Sequence, residues 1–384
     1  AQDSARTALL LLWPAAACQI LAAIGAAALA VRGKFAVTGL AYVAGTLVAI
    51  GLVFVFDGAL GIDGVPLALA VGSALTAAFI ITRLALLGYR PRLRVAAGPA
   101  ALRATWHLVV GSVGYIVGQL TFVVSVALAA RLGEGMVTVY TYVFFAASLV
   151  IGAVAGPIGI VLAAPISATW DRRPESLRPY LLDVTRTGLV LVVPILGLAA
   201  LIGEDIVNAV LGRALGADAQ RTLVLSFLAL GGMIVSSSVA PVPTIAVFAR
   251  GRYAAAALLA ALASTIHVGL AVAALQADSL PVLAVASSVT TAIGLVTLLW
   301  LVYGRSRLAA VLRLVAVEIA HVVVVGMIVF LPILAVSWAV DSLAWRLPAA
   351  LVGAGAFVGA VRRWLPEHWK LCRRVVEPLS DASV

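Results

Sequence analysis

Charged side chains are scarce in this sequence: Asp, Glu, Lys and Arg make up 11% of its 384 residues, against about 25% in a typical soluble domain. Hydrophobic residues make up 64%. A water-soluble fold could not cover so much apolar surface with so few charges, although some apolar surface on a soluble protein is normal. The composition therefore excludes an ordinary soluble enzyme or binding domain.

Cysteine and histidine are also rare. The two cysteines, Cys18 and Cys372, fall in the first apolar segment and in the basic tail, so they cannot build a disulfide framework. The four histidines and the cysteines form no cluster with metal-ligand spacing. The segment Gly33-Lys34-Phe35 lacks the upstream glycine and the Ser or Thr of a nucleotide-binding P-loop. The sequence thus predicts no cofactor and no metal, and it disfavours an enzyme.

Long apolar runs fill the rest of the chain. Each is near the roughly 20 residues that a helix needs to cross a hydrocarbon core of about 30 Å. The runs are rich in Ala, Leu and Val and do not alternate as the strands of a membrane barrel would. We therefore predict an all-α polytopic membrane protein with about eleven transmembrane helices. The predicted spans are 8–31, 35–56, 62–88, 104–130, 136–169, 179–203, 217–249, 252–276, 279–303, 312–340 and 343–361.

Two predicted spans are longer than one crossing and contain prolines. Pro157 and Pro165 lie in 136–169, and Pro241 and Pro243 lie in 217–249. A proline inside a helix removes one backbone hydrogen bond and bends the helix, which membrane bundles tolerate. Each segment is interpreted as one long, kinked helix; two short helices with a re-entrant turn are the alternative.

The positions of the basic residues give an independent test of the count. If the connection after the first span is cytoplasmic and sides alternate from there, most of the 26 basic residues fall on the cytoplasmic side. This is the positive-inside distribution of membrane proteins. It places the N-terminus of the chain outside and the C-terminus in the cytoplasm. The net charge of +10 then follows from topology and attraction to anionic lipids, so no nucleic acid is predicted as a partner.

Polar side chains at hydrocarbon depth are costly and therefore candidates for function. Tyr115 and Gln119 are four residues apart and share a helix face. An amide in the middle of a span is harder to bury without hydrogen-bond partners than a hydroxyl is. The candidate substrate-binding residues are Gln19, Tyr115, Gln119, Tyr142 and Ser237. The alternative is that these side chains form hydrogen bonds between packed helices.

Titratable and basic residues give two further candidates. Glu318 and His321 form a candidate titratable pair in the tenth span, and the simpler interpretation is that Glu318 pairs with Arg313 or His321 near the cytoplasmic end. His267 is deeper, and its role stays open. The basic connection from Arg83 to Arg103 could contact phosphate headgroups or a pyrophosphate, or it could only determine topology. Its candidate phosphate contacts are Arg90, Arg92 and Arg94.

Several motifs carry a resemblance to a known family. They are Leu12-Trp13-Pro14, Arg32-Gly33-Lys34-Phe35, Gly118-Gln119-Leu120, Gly156-Pro157-Ile158, Ala163-Ala164-Pro165-Ile166-Ser167 and Phe248-Ala249-Arg250-Gly251-Arg252-Tyr253. With them the chain resembles the lipid II flippase (MurJ/MviN-type) family of the multidrug/oligosaccharidyl-lipid/polysaccharide exporter superfamily. One departure is Ala146, which falls roughly where the family has a basic cavity residue.

The resemblance implies two six-helix lobes followed by a helix pair, with a cavity between lobes for a lipid-linked saccharide. The opening motifs resemble the family's fourth helix, so we expect the first three helices of an incomplete first lobe to be missing. The implied organisation is the second half of the N-terminal lobe (1–88), a cytoplasmic basic linker (89–103), the C-terminal lobe (104–304), an additional helix pair (305–361) and a basic cytoplasmic tail (362–384).

The function implied by the resemblance is transport without ATP. We expect the chain to flip lipid II or a related undecaprenyl-linked sugar across the bacterial inner membrane for peptidoglycan or polysaccharide synthesis. The alternatives are a multidrug/cation antiporter of the same fold and a membrane scaffold that does not transport. The expected partners are the lipid-linked saccharide and anionic membrane lipids; the coupling ion cannot be read from the sequence.

Overall fold

The computed structural model describes residues 2–32, 34–60, 64–89, 98–169, 174–211, 215–339 and 343–369. Within these ranges the secondary structure is helical. A helix satisfies every backbone hydrogen bond within its own segment, which a lipid environment demands. The helices are α1 (Gln2–Val31), α2 (Phe35–Leu60), α3 (Gly64–Leu86), α4 (Pro99–Ala129), α5 (Met136–Thr169), α6 (Arg178–Leu211), α7 (Ala217–Ala229), α8 (Gly231–Val239), α9 (Pro241–Ala249), α10 (Tyr253–Leu275), α11 (Leu280–Tyr303), α12 (Arg305–Ala339) and α13 (Leu343–Trp364).

The predicted fold class is confirmed: each of the predicted spans coincides with a helix or a run of helices. The count of eleven is approximate. In the part of the chain that the structure describes, nine helical segments are long and apolar enough to cross a membrane. The segments outside that set are α4, where the apolar stretch is Ile116–Ala129, and α13.

The proline-containing spans are helical, one without a break and the other with two single-residue breaks. Helix α5 continues without a break through both of its prolines. In 217–249, single residues separate α7, α8 and α9: Leu230 has φ −75° and ψ −2°, and Ala240 has φ −59° and ψ −26°. Both conformations are right-handed and helical. The chain therefore keeps a right-handed helical conformation across both breaks.

The chain divides into two compact units, Ala1–Ala97 and Gly98–Val384. The division falls inside the predicted linker 89–103. In unit 1, α1 and α2 each pack against α3, with Leu29 and Ile80 in the core. Gly45 and Gly72 face each other where α2 crosses α3, because a Cβ on either would lie within 2.7 Å of the other's carbonyl oxygen. Small residues here let the two backbones come into contact.

Unit 2 contains α4 to α13 around three apolar cores. One core joins α5, α7, α8 and α11, and a second joins α6, α9 and the ends of α11 and α12. The third fastens α12 and α13 to α6, where the rings of Phe330 and Phe357 lie 6.0 Å apart. Gly197 of α6 lies against the Phe330 ring, which a Cβ would approach to 2.6 Å. The last two helices are thus an integral part of unit 2.

Candidate functional site

Two of the predicted substrate residues lie on uncovered helix faces of unit 2. Gln119 is exposed on α4 beside Ile116 and Leu120, which are 53% and 56% exposed. Tyr142 is exposed on α5, on a face that also carries Leu149. Helices α4 and α5 contact each other, and their exposed sides that carry Gln119 and Tyr142 are together called the α4–α5 face here.

The depth of Gln119 decides what this face contacts. Gln119 precedes the last residue of α4 by ten positions, which at 1.5 Å per residue is about 15 Å along the axis. That is near the middle of a hydrocarbon core of about 30 Å. An amide with no hydrogen-bond partner in hydrocarbon costs several kcal/mol, on the order of 2–7. An exposed amide at this depth is therefore expected to face a water-filled cavity.

Ser237 lies in an open pocket of about 420 Å³ between α5 and the break that separates α8 from α9. The pocket is also lined by Gly156, Gly159, Pro241 and Thr244. On the α5 side the wall is formed by small residues, the two glycines and Ala155, and the hydroxyls of Ser237 and Thr244 are the polar side-chain groups of the pocket. The pocket can therefore accept a group that combines apolar surface with a few hydroxyls or amides.

Gln19 is engaged in a different way. Its Nε2 donates to Ser73 Oγ at 3.0 Å, which joins α1 to α3 within unit 1. This geometry fits the alternative interpretation, a hydrogen bond that holds two helices together. The side chain of Tyr115 and the candidates Arg90, Arg92 and Arg94 lie outside the described residues.

Glu318 is 8% exposed and contacts two residues that the sequence did not single out as its partners. Arg186 of α6 donates from Nη2 to Glu318 Oε1 at 2.7 Å. Beyond the end of α13, the Nε2 atom of His368 lies 3.0 Å from Glu318 Oε2. The angles of this contact are not those of a hydrogen bond. His321 and Arg313, the expected partners, are exposed. The result is a buried cluster, Arg186–Glu318–His368, that joins α6, α12 and the segment after α13.

Acidification is expected to destabilise the protein through His368. Burial lowers the pKa of the His368 imidazole below its ordinary value of 6.5, and the Glu318 carboxylate only partly opposes this. The unfolded chain then takes up the proton more readily than the folded one, so the stability from this group is present above pH 6.5 and is lost as pH falls through the folded-state pKa. The loss is at most about 1.4 kcal/mol per pH unit.

The measurement is the thermal midpoint between pH 7.5 and 5 for the wild type and for His368→Gln. The variant is expected to show a shallower decrease at low pH. His107→Gln is the matched control, because the His107 ring is exposed and stacks on Tyr253 at 5.0 Å, and it should follow the wild type. Equal slopes for the wild type and His368→Gln would contradict the assignment.

The structure also assembles a polar network that the sequence analysis left open. His267 lies between Ser125 and Thr290, and Tyr140 contacts Ser287. The signal in the sequence was the run Ser287-Ser288-Val289-Thr290-Thr291 inside an apolar span. Among the residues described, no group of three or more His, Cys, Asp or Glu side chains could hold a metal ion.

Comparisons of the sequence and of the fold with known proteins agree on one family. The sequence profile of the family described as lipid II flippase MurJ matches residues 2–365. Among solved structures, the chain is similar to a lipid II flippase MurJ in an inward closed conformation, with 17% sequence identity and a TM-score of 0.66. The alignment covers 94% of this chain and 74% of that one. No curated protein sequence matches the chain significantly.

Proposed function

The chain belongs to the lipid II flippase MurJ family, and we propose that it flips a lipid-linked saccharide precursor across the bacterial inner membrane. The precursor is lipid II or a related undecaprenyl-linked sugar that serves cell-wall or polysaccharide synthesis. The protein acts as a transporter, and its own residues bind and release the substrate without breaking a covalent bond.

The observation that carries this proposal is the exposed amide of Gln119 at mid-depth on the α4–α5 face. A saccharide headgroup has hydroxyls and amides that must keep hydrogen bonds while they leave one water phase for the other. An amide side chain offers both a donor and an acceptor. Tyr142 adds a hydroxyl and an apolar ring to the same face. In our proposal this face binds the headgroup, and the Ser237 pocket accepts a further part of it.

The orientation and lipid partners are part of the same proposal. The N-terminus of the chain lies outside and the C-terminus in the cytoplasm. Basic residues at the start of α12 and the end of α13 then face the cytoplasmic leaflet, whose anionic lipids attract Lys and Arg. These residues are Arg305, Arg307, Arg313, Arg362 and Arg363. Their positions at helix ends support contact with headgroups.

The test is the appearance of lipid II in the outer leaflet of cells depleted of their own flippase. Cells that express the protein are treated with a hydrolase that reaches the outer leaflet only, and cleaved lipid II is measured. The wild type is expected to restore cleavage and growth. Gln119→Leu should lower the rate by roughly two- to tenfold, since one hydrogen bond in a hydrated site contributes about 0.5–1.5 kcal/mol net and tenfold is about 1.4 kcal/mol.

Gln276→Leu is the matched control. Gln276 is an exposed amide at the end of α10, outside the hydrocarbon depth, and its loss should leave the rate unchanged. A wild type that is present in the membrane but restores no cleavage would overturn the proposed function. A Gln119→Leu variant that flips lipid II as fast as the wild type would show that the α4–α5 face does not bind the headgroup.

A further inference from the structure

A buried histidine network lies inside unit 2, where α4, α10 and α11 meet. The His267 side chain is 1% exposed. Its Nε2 lies 2.8 Å from Ser125 Oγ of α4, and its Nδ1 lies 3.1 Å from Thr290 Oγ1 of α11. Both ring nitrogens therefore have hydroxyl partners, and each partner belongs to a different helix.

The directions of these hydrogen bonds follow from the hydroxyl of Thr290. Its single hydrogen is donated to the carbonyl oxygen of Ala286 at 2.8 Å. Thr290 Oγ1 must then accept from His267, so Nδ1 carries a hydrogen. In the neutral ring Nε2 is left as an acceptor, and Ser125 donates to it. The arrangement fits one tautomer of the neutral imidazole, with every partner satisfied.

The network can also accept a proton on Nε2 without moving heavy atoms. Ser125 lies within hydrogen-bonding reach of the Tyr140 hydroxyl, and Tyr140 OH lies 3.1 Å from Ser287 Oγ. When Nε2 becomes a donor, Ser125 can accept from it and turn its own hydrogen to Tyr140, which donates to Ser287. Hydroxyl rotation is enough for this change because serine and tyrosine hydroxyls both donate and accept.

A small cavity adjoins the network and has room for the incoming proton on a water molecule. Its volume is about 50 Å³, and its lining includes Ser125, Tyr140, His267, Ser287 and Thr290. A water needs at least about 10–15 Å³ and two or more polar partners. Both conditions are met here.

The charges around the cavity point to a proton rather than a metal cation. The described lining contains one other titratable side chain, Tyr140. The helices that form the cavity, α4, α5, α8, α10 and α11, have no Asp, Glu or Lys in their sequences. Hard cations prefer carboxylate and carbonyl oxygens, whereas the central group here is an imidazole. The other titratable residues of these helices are Arg103, His107, Tyr115, Tyr142, Tyr253 and Tyr303.

We propose that His267 is a proton-binding site and that its proton is coupled to flipping, an inference that rests on the proposed function. A protonated His267 in the closed pocket would be a buried charge with no carboxylate beside it, which is unfavourable. The proton therefore favours an arrangement of unit 2 in which the pocket opens to water, and the neutral ring favours the arrangement described here. Such differential affinity is what couples a ligand to a conformational change.

The helices involved connect the proton site to the substrate face. Ser125 follows Gln119 on α4 at a distance of six residues, and Tyr140 precedes Tyr142 on α5 by two. A change in the contacts of Ser125 and Tyr140 thus acts on the two helices that carry the α4–α5 face. By linkage, a substrate that binds one arrangement better must also change the affinity for the proton.

The direct test is the titration of His267 by nitrogen-15 NMR in the intact protein in lipid nanodiscs, with and without lipid II. The resonance is assigned by its loss in His267→Gln. We expect it to titrate with a midpoint that moves on addition of lipid II. Thr290→Val keeps the imidazole but removes the Nδ1 partner, so it should shift the midpoint even if His267→Gln folds poorly.

The second test is the pH dependence of the flipping rate in proteoliposomes. The wild-type rate is expected to change by up to about tenfold per pH unit on one limb of the profile, as for one proton per event. His267→Gln should flatten that limb, whereas His321→Gln, an exposed histidine on α12, should keep it.

The outcomes separate this inference from the proposed function. A His267 that does not titrate in a protein that flips lipid II overturns the inference alone, and so does an unchanged pH profile in His267→Gln. A flipping rate that depends on the sodium-ion concentration and not on pH also overturns it. A protein that moves no lipid II while His267 titrates and its midpoint ignores lipid II overturns both.

Discussion

Replacing Glu318 by alanine is expected to lower the free energy of unfolding by about 3–5 kcal/mol, the usual effect of removing one partner from a buried ion pair. Arg186 is 22% exposed at its side chain, so its guanidinium would keep a charge with little access to water. His368 would lose the carboxylate next to its ring. The loss follows from removing the carboxylate nearest to Arg186; the carboxylates of Asp183 and Glu367 also attract this charge and keep the loss toward the lower end of that range.

The measurement is reversible unfolding in mixed micelles, followed by tryptophan fluorescence. Glu175→Ala is the matched control because Glu175 forms an ion pair with Arg307 in which both side chains are about half exposed. Exposed pairs contribute at most about 1 kcal/mol, and the control should stay within that. An isosteric pair of replacements, Arg186→Met with Glu318→Leu, should recover most of the loss, since apolar substitutes for buried ion pairs are often neutral. If Glu318→Ala and Glu175→Ala cost the same, the cluster is not a buried one.

Replacing Gly45 by leucine is expected to disrupt the packing of α2 against α3. The first added carbon would overlap Thr76 Oγ1 and lie 2.7 Å from the carbonyl oxygen of Gly72. A flexible side chain could move aside, but a backbone carbonyl in a helix can yield only if the whole helix moves. Overpacking typically costs about 1–3 kcal/mol, and the backbone obstacle places Gly45→Leu at or above the upper end. Flipping should fall together with the thermal midpoint.

Gly51→Leu on the same helix is the control for this prediction. Gly51 is exposed and a Cβ there would meet no atom within 4 Å. Its replacement should leave unfolding and flipping near wild-type values, apart from the small gain in helix propensity. A Gly45→Leu protein that unfolds like Gly51→Leu would show that the two helices do not cross as closely as described.

The helices could be predicted from the sequence because their cause is local. A run of about 20 apolar residues crosses a membrane as a helix whatever lies beside it, so spans such as 35–56 and 279–303 were placed correctly. The break between α8 and α9, next to Pro241 and Pro243, follows from the missing amide of proline. The family could be recognised from short motifs, since its profile matches almost the whole chain.

The partners of the buried polar groups could not be predicted, because they depend on how distant helices pack. Arg186 and Glu318 are 132 residues apart in the chain, and Ser125 and His267 are 142 apart. Local spacing favoured Arg313 or His321 for Glu318 because only neighbours on the same helix can be paired from sequence. Gln19 and Gln119 show the same limit: both are exposed amides in apolar spans, yet the first bonds Ser73 of another helix and the second lies on the α4–α5 face.

The break between α8 and α9 has a consequence for the mechanical stiffness of this span. Proline at 241 and 243 deprives the carbonyls of Ser237 and Val239 of the amides that would pair with them four residues later. Further bending there stretches no helical hydrogen bond at those two positions. Helix α9, from Pro241 to Ala249, can therefore tilt relative to α8 as a rigid unit. The energy needed for this tilt is lower than the energy needed to bend an unbroken helix.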